Sequence, residues 1–528
     1  MIPLRPSPLV LRLALTVALA AMAGASLARA QAPAANSDEP DTSSIAGVPD
    51  VPSVGLTLEQ ARRLGIDHAP ISRAARGGLQ VARGSRMVEA GAFDPVLFGE
   101  GSRTRIESPV TSPFAASEIS QRSLGGGASW LSPIGTELLV SLSQVETESN
   151  APFTTQPTER RTHARVDVVQ PLLKGFGSDA TRGQLRAADR ELEAAQRLLE
   201  AANRRVEAET ENAYWELYAA ERDFLVSRLQ RQRAAVFLRD QVLRSRAGVV
   251  GPAAVAVART FLAEQEATLL DARVRLGANA DRLAEVIGVP PRPGERYRAL
   301  DTPPLPPAPE PLDTLLARAL TANPELIAFE ENVRAARARA RAAAWNAWPS
   351  IDAFGGYGGS GLAGIGQRVV FGADTIGADF DTDFSSAWDQ TFGDDFPDWG
   401  VGVRVNVPIG WRADRGDLER RRGELEMAEA ALDARRLSLE TEVRRAHREA
   451  DDSRRQLDAI ETLVESAEEQ VRVARLTYQS GRGTAYDLVN IETDLVRARY
   501  RESLVLVRVA RAATELRRLT TPASGRTR

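Results

Sequence analysis

Cysteine is absent from the 528 residues. That excludes disulfides, thiolate metal sites, cysteine nucleophiles and N-terminal lipidation on cysteine. Only three histidines occur, His68, His163 and His447. They lie far apart and read as surface or interface residues rather than metal ligands. No strong charge of either sign is present: the net charge is −4, so no attraction to nucleic acid is expected. Beyond the N-terminus no run approaches the 18 apolar residues of a membrane-spanning helix. Also missing are a phosphate-cradling Gly-Lys-Ser/Thr, a His-Glu-x-x-His and a Gly-x-Ser-x-Gly. The glycine runs at Gly125–Gly127 and Gly355–Gly361 lack a following helix. No enzyme chemistry and no cofactor are therefore expected.

What is there is a long heptad pattern, made twice. Arg182-Gly183-Gln184-Leu185 returns as Arg415-Gly416-Asp417-Leu418, and Gly248 returns as Gly481 without a gap. Leu185, Leu192, Leu199, Val206, Ala213 and Ala220 step by seven; Leu418, Leu425, Leu432, Leu439 and Ala446 answer them. After the glycine breaks the step resumes with Val255, Leu262, Leu269, Leu276 and Leu283, and with Leu488, Leu495, Val509 and Leu516. A sustained seven-residue period means supercoiled helices. A helix from Arg182 to Ser245 would be about 95 Å long. A second apolar row, with Leu217, Phe224 and Leu238 in one copy and Val443, Leu457, Val464 and Val471 in the other, predicts that the seam tightens towards Gly248 and Gly481.

Residues 1–30 read as a secretory signal: Arg5 and Arg12 precede an apolar run that closes on Ala28-Arg29-Ala30. Residues 31–55 read as an extended arm. Thr57-Leu58-Glu59-Gln60 fits a capping box and starts a helix to about Ala92, which Pro70 kinks. Its counterpart is Leu312–Ala347, with Pro324 and Pro349 matching Pro70 and Pro95. The chain thus divides into a first repeat (56–288), a proline-rich linker (289–311), a second repeat (312–519) and a tail (520–528). Two short helices end to end match one long one in length, so they can run beside it.

Between these helices the period changes from 3.6 to 2. Val401, Val403, Val405 and Val407 alternate with Gly402, Arg404 and Asn406; Ala164, Val166 and Val168 alternate with His163, Arg165 and Asp167; Leu138, Val140 and Leu142 form a third case. Either a soluble sheet or a membrane barrel shows this alternation. A secreted chain whose strands sit between very long helices favours the barrel. Ser108–Ser120 and the acidic, aromatic stretch Leu362–Trp399 read as solvated loops between strands, and Asp179 and Asp414 as helix N-caps.

The order of signal, then twice helix, strands, long helix, glycine turn and helix resembles the TolC family of outer-membrane efflux proteins. The stretches that carry it are Leu56-Thr57-Leu58-Glu59-Gln60-Ala61, Gln170-Pro171-Leu172-Leu173-Lys174-Gly175-Phe176-Gly177 and Tyr478-Gln479-Ser480-Gly481 with Asp487-Leu488-Val489. The resemblance implies a mostly α fold with a β-barrel portion. Long antiparallel coiled-coil helices would form a periplasmic α-barrel, and each subunit of a homotrimer would give four strands to one outer-membrane barrel. It implies a passive conduit of a tripartite efflux or type I secretion system. Its partners would be a periplasmic adaptor, an inner-membrane pump (RND, ABC or MFS type) and outer-membrane lipid. A soluble periplasmic coiled-coil scaffold is the alternative. Asp487 matches an acidic position of the family's periplasmic constriction, Asn490 stands where a second aspartate can occur, and Tyr478 matches a tyrosine that holds the tip closed. The tyrosine's acidic partner would fall at Ala254, so that lock is expected to be absent or different. Gly248, Gly251, Gly481, Gly483 and Thr484 mark the helical tips that would dock the adaptor. Leu124–Ser132 and Glu137–Val145 exceed the family's strand number; an extra hairpin outside the barrel and added barrel strands are both left open. On physical grounds three copies of Asp487 at a constriction would favour cations; a carboxylate there also suits the first turn of a helix.

Overall fold

The computed structural model describes residues 52–522 except 113, 373 and 481. The expected signal, most of the arm, Gly481 and most of the tail lie outside the described residues. Thr57 closes a complete capping box with Gln60 and starts α1 (Leu58–His68). Proline at the first position then opens α2 (Pro70–Gly91), because its missing N–H is not needed there. Four long strands follow: β2 (Val96–Glu107), β3 (Glu118–Leu131), β4 (Glu137–Ser149) and β5 (Thr158–Pro171), after a short β1 (Ser53–Leu56). A turn of helix, α3 (Gly177–Thr181), leads into the 64-residue α4 (Gly183–Arg246), and the 36-residue α5 (Pro252–Ile287) returns.

The second half repeats this order of helices. After β6 (Arg296–Ala299) come α6 (Leu312–Ala322) and α7 (Pro324–Asn346), then β7 (Ser350–Gly366), the small strands β8 (Val369–Phe371), β9 (Asp374–Ile376) and β10 (Phe380–Asp381), α8 (Phe384–Phe392) and β11 (Pro397–Asn406). The 68-residue α9 (Arg412–Gln479) and the 36-residue α10 (Ala485–Thr520) close the chain. The proline-rich connector is anchored at its start, where β6 pairs in parallel with β1.

Short helices do stack end to end beside a long one. The left-handed Gly288 that ends α5 sits against His68, at the break before α2, so a Cβ there would lie 2.8 Å from the His68 carbonyl. In the second half Asn323 caps α7, and its side-chain amide donates to the Leu519 carbonyl at the end of α10, 3.2 Å away.

The heptad seam is buried most deeply at mid-length. Ala213, Tyr214, Trp215, Leu217, Leu283 and Ile287 form one core and Leu432, Leu439, Val443, Leu516 and Leu519 another. Towards the tips Leu225, Leu229, Val236, Leu243, Val473 and Leu476 are exposed. These lie outside the expected second row, of which Leu217, Val443, Leu457 and Val471 are buried and Phe224, Leu238 and Val464 half-buried. Two helices meet at each tip, whereas α1, β1 and β6 add layers at the middle.

Tyr214 is the tie there. Its hydroxyl donates to the Leu56 carbonyl (2.8 Å) and accepts from the backbone N–H groups of Leu300 (2.9 Å) and Asp301 (3.0 Å). Burial pushes its pKa up to about 12. Glu211, one turn away, is buried between Arg62 of α1 and Arg517 of α10 (2.7 Å). Burial opposes its ionisation, but the two guanidinium groups outweigh it and hold the carboxyl below its ordinary range.

The strands make one sheet in the order β2-β3-β4-β5-β7-β11, antiparallel throughout, with β10 also on β7. Of the two possibilities for the extra segments, the sheet holds them as interior strands rather than as an appendage. β3 and β4 lie in the middle of the sheet, paired along their full length on both edges. The acidic stretch 362–399 is no simple loop either. β7 runs on to Gly366, and α8 folds back onto it, with the Thr162 and Thr391 hydroxyls 2.7 Å apart and buried. Gly359 and Gly361 give the room: a Cβ on either would strike the backbone of α8. Nor do Asp179 and Asp414 cap their helices. Both lie in the first turn, where Asp179 takes Arg186 and Asp414 takes Lys174 at 2.8 Å.

Candidate functional site

Two places combine exposure with organised chemistry: the helical tips and the strand face. At the first tip α4 ends at Ala247, and Gly248 takes a left-handed conformation (φ 74°). The Val249 N–H then reaches back to the Arg244 carbonyl (2.9 Å), the closure that glycine favours after a helix. Gly251 caps α5 ahead of Pro252. At the second tip the Arg482 N–H reaches the Thr477 carbonyl (3.0 Å) in the same pattern. Gly483 packs closely on the end of α9, its Cβ position 3.3 Å from the Tyr478 nitrogen.

Thr484 caps α10, and its hydroxyl accepts from the Asp487 N–H (3.1 Å) while Asp487 Oδ2 accepts from the Thr484 N–H (3.2 Å). Asp487 thus holds the turn together. It is also exposed, on the same helix face as Asn490 and Asp494. Asp494 continues that face one heptad on, a spacing legible in the sequence and not used there.

Tyr478 does find an acidic partner in the first hairpin. Its hydroxyl lies 3.5 Å from Asp240 Oδ2 on α4, Arg244 bonds the same carboxylate at 2.8 Å, and the Arg244 guanidinium stands 5.4 Å over the tyrosine ring. The acidic partner of Tyr478 within this chain is therefore Asp240. The acidic residue comes from the descending helix four residues before Arg244, not from Ala254 on the returning one. Glu492 of α10 adds a second clamp, bonded by Arg475 of α9 (2.8 Å) with Arg233 of α4 at 4.0 Å. Val236, Phe237, Phe261 and Leu488 line the pocket between these clamps.

The strand face follows from pleat and register. Leu97, Leu124, Trp130, Leu142, Val166, Val168, Tyr357, Trp399, Val401, Val403 and Val405 all fall on one face, and all are exposed. A contiguous apolar surface of this size is rare against water. Trp130 lies at its helix-side border, Tyr357 and Trp399 at the other. On the reverse face stand His163, Arg165, Asp167, Asp398 and Arg404. Arg165 bonds Asp167 (2.8 Å) and Asp398, and His163 lies 3.4 Å from Asp398.

Among the described residues no cluster of potential metal ligands occurs, and no helix is long and apolar enough to cross a membrane. Residues 315–521 match the model of the outer membrane efflux protein family. No curated protein matches the chain. Solved structures resemble it along most of its length. The CmeC outer-membrane channel of Campylobacter jejuni is 14% identical with a TM-score of 0.62, covering 88% of this chain and 85% of its own. A membrane protein of Pseudomonas aeruginosa is 16% identical with a TM-score of 0.63, covering 89% and 92%. The outer-membrane protein VceC of Vibrio cholerae is 16% identical with a TM-score of 0.60, covering 88% and 96%.

Proposed function

The chain carries an outer membrane efflux protein domain in an outer-membrane channel fold, and we propose that it is the passive exit duct of a tripartite efflux or type I secretion system. The observation that carries this reading is the strand face. One side is an exposed apolar band bordered by Trp130, Tyr357 and Trp399. The other is polar and charged, as a lipid-facing wall around water requires. On β11 the band from Val405 to Trp399 is roughly 20 Å long and would stand roughly 15 Å tall once tilted. The same exposed surface counts against a soluble scaffold, which would have to cover it.

In this reading the duct is a homotrimer whose helices cross the periplasm. The turns at Gly248, Gly251, Gly481, Gly483 and Thr484 meet a periplasmic adaptor, and an inner-membrane pump supplies the energy. Asp487, Asn490 and Tyr478 line the constriction. Three exposed Asp487 carboxylates would set a cation preference there, with the Tyr478–Asp240–Arg244 contact holding the tips together. Asp487→Ala is expected to raise single-channel conductance or lower cation preference in planar bilayers. Unchanged values of both would remove Asp487 from the gate and leave it a helix cap. Side-view electron microscopy of the detergent-purified protein tests the whole reading: a three-fold tube with a short barrel end supports it, and a rod that extracts without detergent overturns it.

A further inference from the structure

Resting on the channel reading above, we propose that each subunit gives six strands to the membrane barrel, so that a trimer closes as 18 strands through pairing of β2 with β11 of the next copy. The six-stranded sheet is continuous. β3 and β4 are laddered on both sides, from Val96–Glu107 of β2 across to β5. They cannot be set outside a barrel without breaking those ladders.

The two ends of the sheet are open. All twelve residues of β2 are exposed, and among the described residues its outer edge pairs with nothing, nor does that of β11. In lipid each unpaired backbone group costs several kcal/mol, so an open edge does not persist there. Six strands are too few to close on themselves, since small barrels take eight. A second copy of this chain supplies what each edge lacks. β2 runs away from the helices and β11 towards them, so the two meet antiparallel. Leu97 and Val405 belong to the same apolar face, so the outward row continues across the junction.

The register carries the tilt of such a barrel. The row that starts at Val96 passes through Ser129, Leu139, Asp167, Gly356 and Gly400. Val96 is the first residue of β2, but Gly400 stands six residues short of the end of β11 at Asn406. Six residues of about 3.3 Å over five steps of about 4.8 Å give a tilt of roughly 40°, within the range of closed barrels. Eighteen strands at that tilt enclose a cylinder roughly 36 Å across between backbones, against roughly 24 Å for twelve. The lumen at the membrane is then half as wide again as a four-strand subunit would make it, and the helical tips alone limit passage.

The absence of cysteine makes the junction testable in the full chain. Ser102→Cys or Thr104→Cys is combined with Gly400→Cys, where a new Cβ meets no neighbour, and the protein is oxidised in outer membranes. Covalent dimers and trimers on denaturing gels are expected, and Arg103→Cys with Gly400→Cys, which points to opposite faces, is expected to give none. Electron microscopy of the unmodified protein should count 18 strands. A 12-stranded ring with β3 and β4 outside it, or cross-linking indifferent to strand face, overturns the proposal while leaving the duct intact. A protein without any barrel removes the channel reading as well.

Discussion

The middle of the helical part and its tips hold carboxylates in opposite ways. Glu211 is buried against two arginines from different halves of the chain, and Tyr214 beside it satisfies three backbone groups. At the tips Asp240 and Tyr478 meet across 3.5 Å of half-open surface, and Arg475 and Arg233 reach Glu492 from exposed positions. A buried ion pair is costly to break because the survivor is left charged and dry. An exposed pair is worth little and exchanges with water. The two regions therefore differ in how much each contact contributes to stability.

The largest effect is expected from breaking the first. Arg62→Met with Arg517→Met leaves Glu211 charged and buried without a partner and should cost roughly 3 kcal/mol, read as a drop in the thermal midpoint of the purified protein. A change under about 0.5 kcal/mol would mean that the middle is no tighter than the tips.

Glu221, two turns after Tyr214, sharpens the contrast, because one of its two oxygens is left without a partner in the same region. Its Oε1 is buried with no hydrogen-bond partner. Burial pushes its pKa up to about 7, although Arg296, the Ala299 N–H and Arg298 pull the other way. The folded state therefore binds this proton more tightly than the unfolded chain. Its contribution is most favourable below the ordinary pKa near 4.5 and is lost as pH rises through about 7. Glu221→Gln should stabilise by roughly 2 kcal/mol at pH 8, after allowing for partial exposure, and by almost nothing at pH 4.5. Thermal unfolding at the two pH values checks both sign and window; a gain at pH 4.5 alone would refute it.

The smallest stability effect belongs to the tips. Tyr478→Phe and Asp240→Asn should each change stability by less than about 1 kcal/mol. Both should nevertheless raise conductance or the frequency of opening in bilayers. A large loss of stability with unchanged conductance would make the contact structural and the comparison false.

Much of this was legible in the residues themselves. The heptad step, the Thr57 cap and the glycine breaks at Gly248 and Gly481 are local, so the long hairpins and their turns could be placed from spacing. Alternation gave β5 and β11 because side-chain direction in a strand depends on parity alone. The partner of Tyr478 was missed because Asp240 lies 238 residues earlier, and no local pattern links two hairpins. The acidic stretch 362–399 read as a loop because its stabilising contacts, Thr391 with Thr162 and α8 on the glycines of β7, are all distant in sequence.

By itself the sequence determined the long helices, their lengths, their turns and the two-faced character of the strands, since each follows from repeats a few residues long. Tertiary structure alone decided that β3 and β4 stand inside the sheet, that α8 folds onto β7, and that Tyr478 meets Asp240. Each of those depends on which segments meet, and backbone hydrogen bonding between strands carries no side-chain code that a single sequence displays.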